Sequence, residues 1–314
     1  MRFLVTGGAG FIGSNIVEEL VRQDEQVRII DNFSTGKAGN VEPFKDLIEI
    51  VEGDIRDYEV VCEAVRDVDI ILHQAALPSV PRSISDPITT NEVNVTGTLN
   101  VLMAAKENGV KRVVYASSSS VYGDNPKLPK EESMMPNPLS PYAVSKLAGE
   151  KYCQVFSNVY NLETISLRYF NVFGRRQDPN SQYSAVIPKF IKAMMNDSRP
   201  LVYGDGEQSR DFTYVKNVVS ANILAARADC RAGIVMNCAC NGQTTLNELV
   251  QKINGILGKN VEPIYEASRS GDIKRSFASV EAAAENLGYR PIVDFDSGLR
   301  ETVKWYQSVL NLQD

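Results

Sequence analysis

The first half of the chain alternates short apolar runs with longer stretches whose apolar residues recur at helical spacing. The runs predict strands at 2–6, 27–31, 48–53, 68–74, 112–117 and 163–169, and the longer stretches predict helices at 12–23, 57–66, 94–109 and 142–158. Nearly continuous apolar strands that alternate with helices are typical of a parallel sheet covered on both faces. We therefore predict an α/β fold with a doubly wound parallel sheet.

The pattern changes after residue 169. Residues 171–182 are polar, and later segments predict a helix at 184–196, a polar loop at 203–211, a strand and helix near 212–228, and helices near 244–258, 279–287 and 297–310. We interpret this as two parts. Residues 1–170 and 212–240 form the sheet domain, and residues 171–211 and 241–314 form a smaller mixed α/β lobe. The lobe is expected over the carboxyl ends of the strands, where such sheets bind ligands.

A glycine-rich loop lies between the first predicted strand and the first predicted helix. Gly7, Gly10 and Gly13 stand in the segment Thr6-Gly-Gly-Ala-Gly-Phe-Ile-Gly13. Glycine allows the tight turn and the close approach of backbone to a pyrophosphate, and the helix N-terminus adds N–H groups and a positive dipole. A plain strand-to-helix turn is the alternative. The strand, the helix and an acid downstream all favour a dinucleotide site.

That acid is Asp31, which closes the second predicted strand 18 residues after Gly13. A carboxylate there binds both hydroxyls of an adenosine ribose and repels a 2′-phosphate, so NAD is favoured over NADP. Lys37 lies nearby and weakens this argument slightly. Asp54, after the third strand, is expected to bond the adenine amino group; a cap on the next helix is an equally supported role that does not exclude the first.

Tyr142 and Lys146 lie one helical turn apart in the predicted helix 142–158. Residues four apart share a helix face, so the Lys146 ammonium is expected close to the phenol. Because a nearby cation favours the charged form, we expect the pKa of Tyr142 to fall below its ordinary value. The pair predicts a phenolate base that works near neutral pH. This spacing alone is weak evidence for a catalytic pair, and the glycine loop upstream strengthens it.

Composition narrows the choice of partners and compartment. The 314 residues are 43% hydrophobic and carry a net charge of −6 with no basic block, which disfavours nucleic acid and anionic membranes. His73 is the one histidine, and the five cysteines are scattered, so we expect no histidine triad and no metal site. Cys238 and Cys240 are expected to be buried thiols. Without an evident signal peptide or long apolar run, a cytoplasmic protein is expected.

These motifs make the chain resemble the extended short-chain dehydrogenase/reductase family over essentially its whole length. The matching segments are 7–13, 54–55, 73–76, 94–98, 117–123, 142–146 and 168–171. Within that family it most resembles the nucleotide-sugar 4-epimerases that act on UDP-galactose and UDP-N-acetylglucosamine. The resemblance implies a Rossmann-type fold, NAD as a transient hydride store, a UDP-sugar substrate and a 4-keto intermediate. It also implies a homodimer that pairs helices 94–109 and 142–158.

The resemblance assigns roles to individual residues. It implies that Ser118, Tyr142 and Lys146 are catalytic. The implied cofactor-binding residues are Gly7, Gly10, Phe11, Ile12, Gly13, Asp31, Asn32, Ser34, Gly36, Asp54, Ile55, Gln74, Ala75, Ala76, Asn94, Ser117, Tyr142, Lys146 and Tyr169. The implied substrate-binding residues are Ser118, Tyr142, Asn171, Ala185, Val186, Tyr203, Arg210, Arg269, Asp272 and Ser276. Arg175 and Arg176 are expected to be solvated.

The substrate can be narrowed by what stands at particular positions. Epimerases restricted to UDP-glucose and UDP-galactose carry a bulky tyrosine where this chain has Ser276, and a serine leaves room for a 2-acetamido group. The 4,6-dehydratases carry an acidic pair where this chain has Ser119 and Ser120, so dehydration lacks its acid and base. UDP-glucuronate 4-epimerases share the serine run and remain an alternative. A non-catalytic NAD-binding regulator is the alternative from a different class.

Overall fold

The computed structural model describes residues 1–179, 185–267 and 275–310. Two predicted substrate residues, Arg269 and Asp272, lie outside the described residues. The strands are β1 Arg2–Thr6, β2 Gln26–Asp31, β3 Ile48–Glu52, β4 Ile70–His73, β5 Arg112–Ser118, β6 Glu163–Tyr169, β7 Val172–Phe173, β8 Leu201–Tyr203, β9 Ser209–Arg210, β10 Thr213–Tyr214, β11 Ile234–Cys238, β12 Thr244–Thr245, β13 Ile264–Glu266 and β14 Arg275–Ser276.

Helices separate most of the strands. They are α1 Phe11–Arg22, α2 Tyr58–Val65, α3 Val80–Ser85, α4 Pro87–Asn91, α5 Gly97–Glu107, α6 Pro141–Tyr160, α7 Val186–Met195, α8 Val215–Arg227, α9 Leu246–Leu257, α10 Glu281–Leu287 and α11 Phe295–Leu310. A π-helical turn, Glu92–Thr96, joins α4 to α5. Within the described ranges, no helix combines the length and the apolar character needed to cross a membrane.

Seven strands form one parallel sheet in the order β11-β6-β5-β4-β1-β2-β3. The predicted doubly wound parallel sheet is therefore confirmed. The chain runs from β1 to β2 and β3 on one side and returns to β4, β5 and β6 on the other. Ligands on such sheets bind where the strand order reverses, so the expected site lies beyond the carboxyl ends of β1 and β4.

Each face of the sheet is covered by an apolar layer. Ile16 of α1 and Val218 of α8 belong to the buried cluster on one face. Val61 of α2, Leu102 of α5 and Phe156 of α6 belong to the cluster on the other. This double burial explains why the central strands read as nearly continuous apolar runs.

A third buried cluster lies in segments that follow β6. It includes Phe173, Phe190 of α7 and Leu249 of α9. Tyr214 packs in the same cluster, although the sequence places it in the part of the sheet domain that spans 212–240. The division into two parts therefore stays a prediction.

Candidate active site

The glycine-rich loop connects β1 to α1. Gly7 has a φ of +66°, a left-handed conformation that side chains rarely adopt. A Cβ on Gly13 would stand 2.1 Å from the carbonyl oxygen of Gly7, so the helix can approach the loop this closely only with glycine there. Because α1 begins at Phe11, its first-turn amides have no acceptor within the helix. Free amides at a positive helix end are suited to a pyrophosphate.

This loop borders a cleft of about 1300 Å³ beyond the carboxyl ends of the strands. The cleft brings together nearly all the predicted cofactor residues: Gly7, Gly10, Phe11, Ile12, Gly13, Asp31, Asn32, Ser34, Gly36, Asp54, Ile55, Gln74, Ala75, Ala76, Ser117, Tyr142, Lys146 and Tyr169. Asn94 is buried behind it, where it bonds the backbone of Leu77 and the hydroxyl of Ser145. Asn94 therefore holds the wall of the cleft in place.

Asp31 ends β2 beside the glycine loop. Its carboxylate accepts hydrogen bonds from the backbone N–H groups of Ala9 and Phe33, both at 2.9 Å. Burial raises the pKa of Asp31, and these two hydrogen bonds oppose the rise. Lys37, whose charge would favour a 2′-phosphate, is paired with Asp178 at 3.0 Å. Both observations suit an unphosphorylated ribose.

Asp54 lines the cleft after β3. Hydrogen bonds from Arg56 lower the pKa of Asp54 to about 2, and the Asn32 amide donates to its carboxylate at 2.8 Å. The alternative that Asp54 caps the next helix was wrong. Asp57 caps α2 instead, because its carboxylate reaches the first-turn amides while that of Asp54 is held by Arg56. Contact of Asp54 with an adenine stays a prediction.

Tyr142 and Lys146 lie on the first two turns of α6. This helix begins at Pro141, after Ser140 has capped it by accepting a hydrogen bond from the N–H of residue 143. Lys146 Nζ donates to the carbonyl oxygen of Ala116 at 2.8 Å and lies 6.0 Å from the centroid of the Tyr142 ring. The two side chains therefore share one face of α6, as their spacing predicts.

The pKa of Tyr142 does not shift as the sequence predicted. Burial raises the pKa of the phenol, and a hydrogen bond with Ser118 lowers it only in part. Burial also lowers the pKa of Lys146 to about 8. The prediction counted the attraction between the two groups but not their shared loss of water, which disfavours both charged forms.

Gln74 and Tyr169 are held by a residue that the sequence analysis did not identify. The Tyr169 hydroxyl lies 3.1 Å from Gln74 Oε1, and Asn222 Nδ2 donates to that hydroxyl at 2.8 Å. Asn222 also accepts from the Gln74 amide at 3.1 Å. It is fully buried on α8. The sequence carried one signal for Asn222, since it is a polar residue on the apolar face of a helix.

The predicted substrate residues are spread over several segments. Ala185 lines the cleft and precedes α7. Arg210 and Ser276 are register partners on β9 and β14, and the Asn171 amide donates to the carbonyl oxygen of Asp211 at 3.1 Å. The described residues that line the cleft do not include Ser118, Asn171, Val186, Tyr203, Arg210 or Ser276.

Arg175 and Arg176 are not solvated side chains as predicted. Both pair with Glu18 of α1, at 2.5 and 2.8 Å, and Arg176 also donates to the carbonyl oxygen of Ser14 at 3.1 Å. Arg176 lies 5.3 Å from the centre of the Phe44 ring. These contacts tie the segment after β7 to the helix that follows the glycine loop.

One wall of the cleft, between residues 77 and 93, was not predicted from the sequence. Ser79 caps α3 and Asp86 caps α4, and a proline stands in the first turn of each helix. A capping residue followed by proline is a helix-start signal that could have been used. The lining residues from this wall are Leu77, Pro78, Ser79, Arg82, Ser85, Asp86, Thr89, Thr90 and Val93.

The cleft suits a dinucleotide along its whole length. The glycine loop and the free amides at the start of α1 suit a pyrophosphate at one point, Asp31 is placed for a ribose on one side, and Tyr142 with Lys146 stands on the other. A parallel sheet with this loop, acid and tyrosine–lysine pair in one cleft defines an enzyme of the dinucleotide-dependent dehydrogenase class.

Comparison with known proteins identifies the group within that class. Residues 3–239 match the NAD dependent epimerase/dehydratase family. A putative UDP-glucose 4-epimerase of Methanocaldococcus jannaschii is 38% identical over 97% of this chain and 98% of its own length. The chain therefore belongs to the NAD-dependent epimerase/dehydratase family, and NAD is its cofactor.

Solved structures agree with this assignment. A UDP-N-acetylglucosamine 4-epimerase of Methanobrevibacter ruminantium, in complex with UDP-N-acetylmuramic acid, is 44% identical with a TM-score of 0.94 and 98% coverage of both chains. A UDP-glucose 4-epimerase of Thermus thermophilus, in complex with NAD, is 37% identical with a TM-score of 0.89, covering 98% of this chain and 99% of its own.

Proposed function

We propose that this chain inverts carbon 4 of UDP-hexoses through a 4-keto intermediate. Its substrates are UDP-N-acetylglucosamine and UDP-N-acetylgalactosamine together with UDP-glucose and UDP-galactose. The observation that carries the proposal is the Tyr142–Lys146 pair in the cofactor cleft, with Ser118 hydrogen-bonded to the phenol. The similarity to relatives named as UDP-sugar 4-epimerases supports it.

The chemistry follows from the residues in the cleft. Tyr142, as the phenolate, takes the proton of the sugar's 4-hydroxyl, directly or through Ser118. Lys146 stabilises the phenolate from the next turn of the helix. NAD, which the glycine loop, Asp31 and Lys146 would hold in the cleft, would supply a reversible hydride acceptor for carbon 4 and, when oxidised, a positive charge near the phenol. Tyr142 returns the proton to the product oxygen.

The protein must hold the nucleotide firmly and let the sugar turn. In our proposal the lobe formed by 171–211 and 241–314 grips the UDP portion. Arg210 binds the diphosphate, since a guanidinium bonds oxyanions through paired N–H groups. Asn171 contacts the same diphosphate, and Tyr203 flanks the uracil beside the backbone of 185–186.

Ser276 determines whether a 2-acetamido sugar is accepted. It stands beside Arg210 on the neighbouring strand and is partly buried. A serine leaves space there that a tyrosine would fill. The second candidate activity is 4-epimerisation of UDP-glucuronate, because the enzymes that catalyse it share the serine run found here at 117–120.

One assay separates these candidates. The purified chain is given UDP-Glc, UDP-GlcNAc or UDP-GlcA, and the 4-epimers are resolved by chromatography. We expect turnover of UDP-Glc and UDP-GlcNAc. Turnover of UDP-GlcA alone would favour the second candidate. If no substrate gave epimers or reduced nicotinamide, the non-catalytic NAD-binding regulator would be favoured.

The variant Ser276→Tyr tests the specificity argument. We expect kcat/KM for UDP-GlcNAc to fall at least tenfold while that for UDP-Glc changes less than threefold, since the new ring occupies the acetamido space. Ser276→Ala is the matched control because it changes the side chain without filling the space. A Ser276→Tyr enzyme with parental UDP-GlcNAc turnover would refute the argument.

We further propose that the chain forms a homodimer through α5 and α6. Val144, Val155 and Val159 of α6 are 53%, 47% and 62% exposed, which supports a covered apolar face. Sedimentation equilibrium measures the state directly.

A further inference from the structure

Glu150 is a buried carboxylate one turn beyond Lys146 on α6. Arg168 of β6 holds it with two hydrogen bonds, Nε to Oε1 and Nη2 to Oε2, both at 2.8 Å. The side chains of Arg168 and Glu150 are 4% and 1% exposed. A buried ion pair is weak evidence of a gain in stability, because both charges lose their hydration. Its place next to the catalytic lysine points to a different role.

The end of β5 is fastened to α6 at successive residues. Lys146 reaches the carbonyl oxygen of Ala116, and Ser118 is hydrogen-bonded to Tyr142. Between these two contacts, Ser117 Oγ donates to a carboxylate oxygen of Glu150 at 2.5 Å. The carboxylate therefore connects the strand that carries Ser118 to the helix that carries the tyrosine and the lysine.

The same carboxylate supplies negative charge beside Lys146. The other titratable groups that face this lysine are Tyr142 and Cys153 of α6, Tyr115 of β5 and His73 of β4. Burial lowers the pKa of His73 to about 3, raises that of Cys153 to about 12, and raises the pKa of both tyrosines, so before NAD adds its positive charge all four are neutral at pH 7. Glu150 thus offsets the cost of burying the ammonium.

We propose that Glu150, held by Arg168, is a positioning residue for the reaction. It fastens α6 to the end of β5 and keeps Lys146 charged. This inference rests on the proposed 4-epimerase activity.

The test is Glu150→Gln, assayed as the NAD-containing protein with UDP-Glc and UDP-GlcNAc. We expect NAD content and KM to stay within about twofold, while kcat falls about tenfold or more because the catalytic pair is displaced. Burial of Lys146 would then be opposed by less negative charge, so the ammonium loses its proton at lower pH. The alkaline limb of kcat against pH therefore moves to lower pH.

A matched control exists at the other end of the same two strands. Glu163 of β6 pairs with Arg112 of β5 at 2.6 Å, so Glu163→Gln removes a carboxylate from an arginine far from the cleft. We expect wild-type kcat and pH profile from Glu163→Gln. Glu150→Asp keeps the charge at a shorter reach, so its alkaline limb is expected at the wild-type position even though kcat falls.

The outcomes separate the two proposals. Absence of epimerisation in the wild-type protein would contradict the proposed function itself. An active wild type together with a Glu150→Gln variant of unchanged kcat, or of lowered kcat with an unshifted alkaline limb, would overturn the positioning role. If Glu150→Gln does not fold, Ser117→Ala takes its place: a kcat lowered about threefold or more with unchanged KM supports the role, and an unchanged kcat overturns it.

Discussion

The charge state of each side chain in this cleft depends on the balance between burial, which favours the neutral form, and charged or hydrogen-bonding neighbours, which favour the charged form. Tyr142 and Lys146 both lose water, and burial shifts both pKa values toward the neutral forms. A base that needs its charged form in such a place depends on neighbours that restore the charge. Ser118 provides a hydrogen bond to the phenol, and Glu150 provides a negative charge near the lysine.

Removal of the phenol hydroxyl tests the base directly. We expect Tyr142→Phe to lower kcat by about 10² to 10⁴, since the proton of the sugar hydroxyl then has no acceptor at that position. NAD should still be retained, because the glycine loop and Asp31 are untouched. Tyr152→Phe is the matched control, two turns or more along the same helix and partly buried.

The measurement is steady-state epimerisation together with the NAD content of each purified variant. Wild-type turnover by Tyr142→Phe would contradict the mechanism, as would an equal loss in Tyr152→Phe.

At the scale of single residues, the sequence predicts which side chains share a site better than it predicts how deeply they are buried and what they pair with. The spacing of Tyr142 and Lys146 placed them correctly on one face. The direction of the tyrosine pKa could not be predicted, because burial depends on how α6 packs against β5. For the same reason Arg175 and Arg176 were misassigned: their partner Glu18 lies 157 residues or more away in the chain.

At the scale of elements, the turn from β1 into α1 requires glycine at position 13. Gly13 is packed so closely against Gly7 that any side chain displaces the helix from the loop. We expect Gly13→Ala to weaken NAD binding at least tenfold, because the first-turn amides move away from the pyrophosphate. Titration of the NAD-free protein with NAD measures this affinity.

Gly255 in α9 is the matched control, because a Cβ there meets nothing within 4 Å. We expect Gly255→Ala to keep NAD affinity and to stabilise the protein by up to about 1 kcal/mol through helix propensity. If both variants bound NAD like the parent, the close contact at Gly13 would not matter for the cofactor.

The long elements were predictable and the short ones were not. The strands at 2–6 and 163–169 match the prediction residue for residue, because alternation of apolar runs and helices is a strong signal. The two helices of five and six residues between 80 and 91, and two-residue strands such as Arg275–Ser276, leave too few residues for a period to emerge. The two short helices nevertheless line one wall of the cleft.

At the scale of the whole molecule, the segment after β7 is held to α1 by the ion pairs of Arg175 and Arg176 with Glu18, which we call the clasp. This segment supplies Gln177 and Asp178 to the cleft, while α1 starts at the glycine loop. We expect Glu18→Ala to raise KM for the UDP-sugar about five- to thirtyfold, because Arg175 and Arg176 lose a charged partner worth about 1–2 kcal/mol. The effect on kcat should be smaller.

Glu19→Ala is the control for that experiment. Its carboxylate pairs with Arg22 on the same helix at 2.6 Å and accepts a hydrogen bond from the neighbouring Gln23. Steady-state kinetics with UDP-Glc measures both variants. An unchanged KM in Glu18→Ala, or an equal rise in Glu19→Ala, would show that the clasp does not shape the cleft.

The strand order has a consequence for how such a chain can change over generations. The outward strands β2 and β3 lead to Asp31 and Asp54, where we predict the adenosine, whereas the segments after β4, β5 and β6 line the part of the cleft where we propose that the sugar reacts. Preference for a hexose can therefore drift by replacement of loops on one side of the reversal. The glycine loop after β1 and Asp31 of β2 lie apart from those loops, so a lineage can acquire a new sugar without rebuilding this part of its coenzyme site.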